Sequence, residues 1–304
     1  MGNTLSFEGF KNVMISQLNK RLEADSGGMK VELDRAVRNN DTVREGIRPC
    51  ASKDTLVPVI YLDDLYSLYE DGTGIEELID EVKLFFESSI AQNMTAAGEM
   101  GRFMHDWERV RPFVECRLVN SNANSRRLAG TPYRRMGEFA ISYQIKISSG
   151  GQGYYATQIK DCMLESWGVS EEELHEAALS NMNLPLNFVL RKAEDVTGMP
   201  GRSPMFILTT KKQIHGATAI ISDEVRQNVG KYMGGDYYIL PSSIHELIIL
   251  PKKSAADVCA LERIVRRANR SSCVSEDEFL SDNVYEYDMT AAKLLMARNH
   301  IALS

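Results

Sequence analysis

Two apolar runs separated by a proline constrain the fold of this chain more than any other feature. The runs cover residues 237–240 and 244–250, and Pro241, Ser242 and Ser243 stand between them. Proline lacks the N–H that a strand needs, so Pro241 ends the first run, and serines are typical of turns. Neither run is long enough to cross a membrane as a helix. The pattern therefore predicts two buried strands joined by a short turn.

Helical and extended patterns alternate along the rest of the chain. Helices are predicted for residues 5–22, 75–90, 171–179, 223–232 and 255–268. Strands are predicted for residues 29–37, 42–47, 57–62, 139–147, 154–159, 205–209 and 217–221. Helices mixed with hairpins in this order predict an α+β fold, with antiparallel or mixed β-sheets packed with several helices.

Two predicted helix starts carry capping signals. Ser170 is followed by Glu173, which is the spacing of a capping box. Asp63 or Asp64 is predicted to cap a helix that begins at Leu65.

A polar stretch at residues 120–130 interrupts these patterns. The chain has 304 residues, which exceeds the usual size of one compact domain. We therefore predict an N-terminal α+β subdomain over residues 1–125, made of a helix, a hairpin and further helices. A C-terminal α+β subdomain is predicted over residues 126–304.

Charge and cysteine content narrow the functional classes. The formal net charge of -7 disfavours extensive non-specific binding to nucleic acid, which depends on lysine and arginine replacing counterions. Four arginines recur at helical spacing near the C-terminus, as expected for a solvated helix face: Arg263, Arg266, Arg267 and Arg270. The five cysteines form no CxxC pair, so no disulfide framework, metal or other cofactor is predicted. The N-terminus lacks the pattern of a secretory signal, which favours a cytoplasmic location.

The turn between the two apolar runs also carries the candidate catalytic residues. Ser243, His245 and Glu246 supply the side-chain types of a hydrolytic triad, and His215 offers a second imidazole. If the fold brings the two loops together, the histidines would form a site with Glu246 or Asp223. Neighbours in sequence seldom meet the geometry of a triad, so a structural turn remains the alternative.

The irregular central region carries the candidate binding residues Trp107, Arg126 and Arg127. Without a recognisable active site, the chain is interpreted as a protein–protein interaction or regulatory module. It would bind a protein partner through a surface that flanks this region. A hydrolase or transferase that uses the corner from Ser242 to Glu246 with His215 is the alternative.

Three stretches together resemble a known family. They are IYLDDLY at 60–66, WGVSEEELHEAAL at 167–179 and YILPSSIHE at 238–246. In this order they are similar to an uncharacterised family of Firmicutes, especially gut Clostridia, whose name amounts to a domain of unknown function. The resemblance extends through Tyr287 and implies a bacterial cytoplasmic setting, but it brings no activity and no catalytic residue. The chain departs from the family pattern at 120–135, which is long, basic and irregular.

Overall fold

The computed structural model describes residues 5–25, 29–50, 59–147, 156–183, 186–197, 205–241, 243–255, 257–271, 274–298 and 301–303. These residues form helices and three antiparallel sheets, which confirms the predicted α+β class. Among the helices in this part of the chain, none is both long enough and apolar enough to span a membrane.

The chain divides into two compact units. The first comprises Met1–Arg38 and Thr42–Asp106, and the second comprises Asn39–Asp41 and Trp107–Ser304. The change of unit at Asp106 and Trp107 comes earlier than the position 125/126 expected from the sequence. The reason is that Val114–Asn120 forms a strand whose partner, Phe139–Lys146, lies in the second unit.

The first unit packs three helices with a small sheet. Its elements are α1 (Phe7–Asp25), β1 (Val31–Val37), β2 (Val43–Pro49), β3 (Ile60–Tyr61), α2 (Leu62–Glu70) and α3 (Ile75–Met104). The predicted first helix and the predicted hairpin are confirmed, and β1 pairs with β2 from Val31↔Pro49 to Val37↔Val43. The core is one cluster of buried side chains: Phe10, Met14, Leu18, Leu22, Val31, Ile47, Leu62, Leu65, Leu78, Ile79, Val82 and Phe86.

The predicted cap of α2 is wrong. The helix begins at Leu62, and its N-cap residue Tyr61 makes no side-chain cap hydrogen bond. Asp63 and Asp64 lie in the first turn, and their carboxylates pair with Arg44 at 2.7 and 2.5 Å. Both acids still lie at the positive end of the helix, where negative charge is favourable.

The second unit contains most of the strands. Its elements are α4 (Trp107–Val110), β4 (Val114–Asn120), α5 (Ser125–Leu128), β5 (Tyr133–Met136), β6 (Phe139–Lys146), β7 (Ala156–Gln158), α6 (Asp161–Trp167), α7 (Glu171–Asn181), β8 (Phe188–Lys192), α8 (Ala193–Thr197), β9 (Phe206–Thr210), α9 (Asp223–Met233), β10 (Tyr237–Leu240), β11 (Glu246–Pro251), α10 (Val258–Asn269), β12 (Tyr285–Asp288), β13 (Lys293–Met296) and β14 (Ile301–Ala302). Short 3-10 helices lie at Asn39–Asp41, Arg111–Phe113, Gly216–Ile221 and Lys252–Ser254.

Two sheets organise this unit. In one, β6 lies between β4 and β5 and also pairs with β7. The other has seven strands in the order β14-β13-β12-β10-β11-β9-β8. The strand pair predicted around Pro241 is confirmed, because β10 pairs with β11 from Tyr237↔Pro251 to Leu240↔Ile248. The capping box is also confirmed, because Ser170 and Glu173 bond to each other's backbone N–H.

The predicted strand at 217–221 is wrong, because this segment is a 3-10 helix over Gly216–Ile221. Its residues from Gly216 to Ile220 are buried. The backbone N–H groups of Gly216 and Ala217 donate to the carbonyls of His245 and Ile244 at 2.9 and 3.2 Å. A short apolar run occurs both in buried strands and in buried helical turns, so the hydrophobic periodicity of the sequence does not distinguish these two structures.

Candidate functional site

The fold brings His215 and His245 into contact. His215 is the N-cap residue of the 3-10 helix after β9 and has a left-handed backbone with φ of 53°. His245 directly precedes β11, the neighbour of β9. The two imidazole rings stack with centroids 5.5 Å apart and an interplanar angle of 12°. The backbone N–H of His215 donates to Nδ1 of His245 at 3.1 Å, so that nitrogen is an acceptor.

A polar sheet face lies beside this histidine pair. Along β6, Ser142 and Gln144 point to one face, and Arg117 of β4 stands opposite Ser142. Ser142 and Gln144 are both only 5% exposed. The side-chain amide of Gln144 lies 3.4 Å from Nδ1 of His215. Buried polar groups need partners: Gln144 finds one in His215 of the loop, and the Ser142 hydroxyl donates to the Arg117 carbonyl within the sheet.

The environment lowers the pKa of both imidazoles. Burial lowers the pKa of His215 well below its ordinary value, and the positive charges of Arg117 and Arg127 add to the effect. Burial also lowers the pKa of His245, although the carboxylate of Glu278 opposes this shift. Nε2 of His245 lies 3.6 Å from Oε1 of Glu278. Because Nδ1 of His245 accepts a hydrogen bond, Nε2 carries the hydrogen in the neutral ring and faces the Glu278 carboxylate as a donor.

The other predicted catalytic residues have local partners. Ser243 Oγ accepts the backbone N–H of His245 at 3.0 Å, which is a turn contact rather than a contact with an imidazole. Glu246 begins β11, and burial followed by the charge of Glu278 raises its pKa. Asp223 pairs with Arg226 at the start of α9. Ser242 lies outside the described residues. The histidines are thus brought together, whereas the serine hydroxyl serves the turn.

The predicted binding residues lie in different surroundings. Trp107 is half-buried, and its ring lies 5.4 Å from that of Trp167. Arg126 is exposed, whereas Arg127 is half-buried and its charge acts on His215. Of the two arginines, Arg126 is therefore the one that faces solvent.

A cavity of about 530 Å³, broadly open to solvent, lies along the 121–135 segment. Its lining comes from the 121–135 segment and from the start of α6: Ser121, Asn122, Ser125, Leu128, Ala129, Gly130, Thr131, Tyr133, Arg135 and Asp161. Tyr133 is 38% exposed, and Arg135 contacts the Asn122 side chain at 3.3 Å. Most of the lining residues are polar, and they include one cation and one anion.

An asparagine and aspartate framework, which sequence reasoning missed, holds this segment. Asn120 Oδ1 accepts the N–H groups of Asn122 and Ala123 at 3.1 and 3.0 Å. Asn124 is fully buried, and its amide donates to the carbonyl oxygen of Asn120 at 2.8 Å. The Asp41 carboxylate accepts the N–H groups of Arg126 and Arg127, the first turn of α5. The available signal was the density of asparagine, which favours local side-chain-to-backbone turns.

The described residues contain no group of three or more histidine, cysteine, aspartate or glutamate side chains that could hold a metal ion. The cysteines among them are free thiols: Cys50, Cys116, Cys162 and Cys259. Burial raises the pKa of the Cys116 thiol to about 12, so this thiol stays protonated at neutral pH.

The fold defines an α+β protein of two units whose second unit carries a half-buried histidine pair and a polar cavity. A family described as a family of unknown function (DUF5688) matches residues 7–289, and the chain belongs to this family. No curated protein matches the chain, and no solved structure matches it.

Proposed function

We propose that the chain is a protein–protein interaction or regulatory module of the bacterial cytoplasm, and that its partner enters the cavity along residues 121–135. The observation that carries this proposal is the cavity itself, which the irregular central region lines. The bacterial, Firmicutes-type setting follows from the resemblance of the three sequence stretches. The cavity is open to solvent, and its volume of about 530 Å³ leaves room for a few residues of a peptide at the surface.

The lining chemistry favours a polar segment as the occupant. Ser121, Asn122, Ser125 and Thr131 are polar residues whose side chains can donate or accept hydrogen bonds. Arg135 and Asp161 offer opposite charges for an acidic and a basic group of the partner, and Tyr133 adds an aromatic surface of the kind enriched in interfaces. Arg126 follows Ser125 in α5 and can contribute a further exposed cation.

The framework beneath the cavity favours binding without a large entropic cost. The Asn120 and Asn124 side chains hold the turn, and Asp41 holds the start of α5. A loop that is already ordered loses little conformational freedom on association.

The test is a pull-down of the intact protein from its native cytoplasm, with mass spectrometry of retained proteins and small molecules. Tyr133→Ala removes the exposed aromatic ring of the cavity, and the Arg126→Ala/Arg127→Ala pair removes the neighbouring charges. Tyr232→Ala is the matched control, because Tyr232 is 64% exposed and lies outside the cavity. We expect capture of one stoichiometric protein, weakened about 10-fold or more by Tyr133→Ala and unchanged by Tyr232→Ala.

Two results would contradict this proposal. Capture that responds equally to Tyr133→Ala and Tyr232→Ala would remove the cavity from the interaction. A retained metabolite without any protein would favour a ligand or enzyme site instead. Trp107→Ala is measured in parallel, and since Trp107 packs on Trp167, we expect a loss of stability from it.

A hydrolase or transferase at the corner around Ser243 is the second candidate. The stacked pair of His215 and His245 favours it, because imidazole is the side chain used most often in general acid–base catalysis. This candidate requires that Ser243→Ala or His245→Ala abolish an activity while thermal stability is nearly retained. The turn role of Ser243 predicts the opposite, a loss of stability, since its Oγ bonds the His245 backbone.

A further inference from the structure

A second surface of the same unit is formed by one face of α10. Asp257 caps the start of this helix, since its side chain accepts the Ala260 N–H. Leu261 and Val265 are buried in a core cluster with residues of β10 and β11. The opposite face carries a stripe of four arginines, which we call the arginine stripe: Arg263, Arg266, Arg267 and Arg270. Arg266, Arg267 and Arg270 follow Arg263 by three, four and seven residues, so the four side chains extend over about 10 Å of the helix axis.

The arginine stripe is largely unneutralised. Arg266 lies 3.8 Å from Glu262, a carboxylate that Arg298 also approaches at 3.5 Å. Among the described residues, Arg263, Arg267 and Arg270 form no ion pair and no side-chain hydrogen bond. All three are exposed. Together with Ser271, the stripe lines a surface depression of about 470 Å³.

This arrangement is unfavourable in the isolated chain. Like charges three and four residues apart on a helix repel each other. The chain as a whole is acidic, with a formal charge of -7, whereas this one helix face concentrates positive charge. A bound anion would relieve the repulsion and would form charge-assisted hydrogen bonds with the guanidinium groups.

We propose that the arginine stripe is a docking surface for an acidic segment of a protein partner. Guanidinium groups bind carboxylates in a bidentate geometry, and the stripe presents them at a spacing that matches glutamates one turn apart on a helix. Ile264 is 58% exposed next to Arg263 and offers a contact for one apolar side chain of the partner. This surface is separate from the cavity at residues 121–135, and the two proposals stand independently.

A protein segment fits this surface better than nucleic acid. A stripe of about 10 Å spans only a few phosphates of a strand, whereas non-specific binding of a polyanion requires many contacts. The net negative charge of the chain repels a long polyanion. The apolar side chain of Ile264 gains no favourable contact from a phosphate backbone, whereas it can pack against an apolar residue of an amphipathic acidic peptide.

The experiment measures fluorescence anisotropy of a labelled peptide that repeats Glu-Glu-Leu, titrated with the full chain at low salt. The test variant is Arg263→Glu/Arg267→Glu, which reverses two charges of the stripe. Arg191→Glu is the matched control, because Arg191 is an exposed residue of β8, an edge strand of the seven-stranded sheet that also contains β10 and β11. Arg263→Lys/Arg267→Lys keeps the charge and removes the bidentate geometry. Circular dichroism melting confirms that each variant is folded, and Arg267→Gln replaces the double reversal if that variant is not.

We expect the double reversal to weaken peptide binding by about 10-fold or more, with an intermediate loss for the lysine pair and no change for Arg191→Glu. Equal affinity of the wild type and the double reversal would overturn the proposal. Tighter binding of labelled oligothymidine than of the peptide, lost in the same double reversal, would also overturn it and would identify a nucleic-acid surface. A mixed Lys-Lys-Leu peptide should not bind, and binding of it would show that charge recognition is absent.

Discussion

A single methyl group at Gly216 should destabilise the second unit through the contact that joins the two histidine loops. A Cβ atom placed on Gly216 would lie 2.3 Å from the His245 carbonyl oxygen and 2.5 Å from Thr209 Cα. Both are backbone atoms: Thr209 lies in β9, and His245 directly precedes β11, the strand that pairs with β9. Neither can move aside as the end of a flexible side chain would, so Gly216→Ala must separate the loop from the sheet.

The magnitude follows from three contributions. Overpacking against rigid neighbours costs about 1–3 kcal/mol. The bond from the Gly216 N–H to the His245 carbonyl, now 2.9 Å long, would be stretched or lost at a cost of about 1 kcal/mol. Reduced entropy of the unfolded chain returns about 0.4–1 kcal/mol. The free energy of unfolding should therefore fall by about 2 kcal/mol, which at an m-value of about 2 kcal/mol/M lowers the urea midpoint by about 1 M.

Tryptophan fluorescence is the appropriate assay. The chain has two tryptophans, Trp107 and Trp167, and both belong to the second unit, so their emission reports the unfolding of that unit. Gly9→Ala is the control, because Gly9 lies in the first turn of α1 and its Cβ would meet Ser6 Oγ at 3.4 Å, an ordinary contact. This control should stabilise the helix by about 0.5–1 kcal/mol by circular dichroism. An unchanged urea midpoint for Gly216→Ala would refute the close approach of the two loops.

Two further predictions concern the same unit. Burial lowers the pKa of His215 and His245 in the folded chain, so the unfolded chain binds more protons below about pH 6.5. The free energy of unfolding should therefore decrease as the pH is lowered, by up to about 1.4 kcal/mol per pH unit for each histidine. Urea midpoints between about pH 7.5 and 5.5 measure this slope, which His215→Gln should reduce; an equal slope in that variant would assign the dependence to other groups. Ser170→Ala should cost about 1 kcal/mol because it removes the capping box of α7, whereas Ser170→Asp should be nearly neutral in thermal melting, and equal losses from both would contradict the capping role.

The elements that the sequence predicted well are those with local causes. Pro241 ends an apolar run, and the runs on either side pair as β10 and β11. Ser170 and Glu173 lie three residues apart, and this spacing alone is sufficient for the capping box. Helix α1 buries Phe10, Met14 and further residues at helical spacing. Each of these features depends on residues that are close together in the sequence.

The features that sequence reasoning missed depend on contacts between distant segments. Whether 217–221 would be a strand or a helical turn was decided by its hydrogen bonds to the His245 and Ile244 carbonyls. Asp63 and Asp64 lie inside the first turn of α2 rather than at its cap, and their carboxylates pair with Arg44 of β2. The contact of His215 with His245 depends on the pairing of β9 with β11, which no local sequence pattern predicts.

The contrast between satisfied and unsatisfied polar groups separates packing from binding in this unit. Around His245, the carbonyl accepts from Thr209 Oγ1 at 2.7 Å, and Nδ1 accepts from the His215 backbone. Groups with such internal partners contribute to stability, and their removal leaves a buried donor or acceptor without a bond. On α10, Arg263 and Arg267 have no acidic partner among the described residues. Substitutions at the histidine pair should therefore change stability first, whereas substitutions in the arginine stripe should change binding and leave stability nearly unaltered.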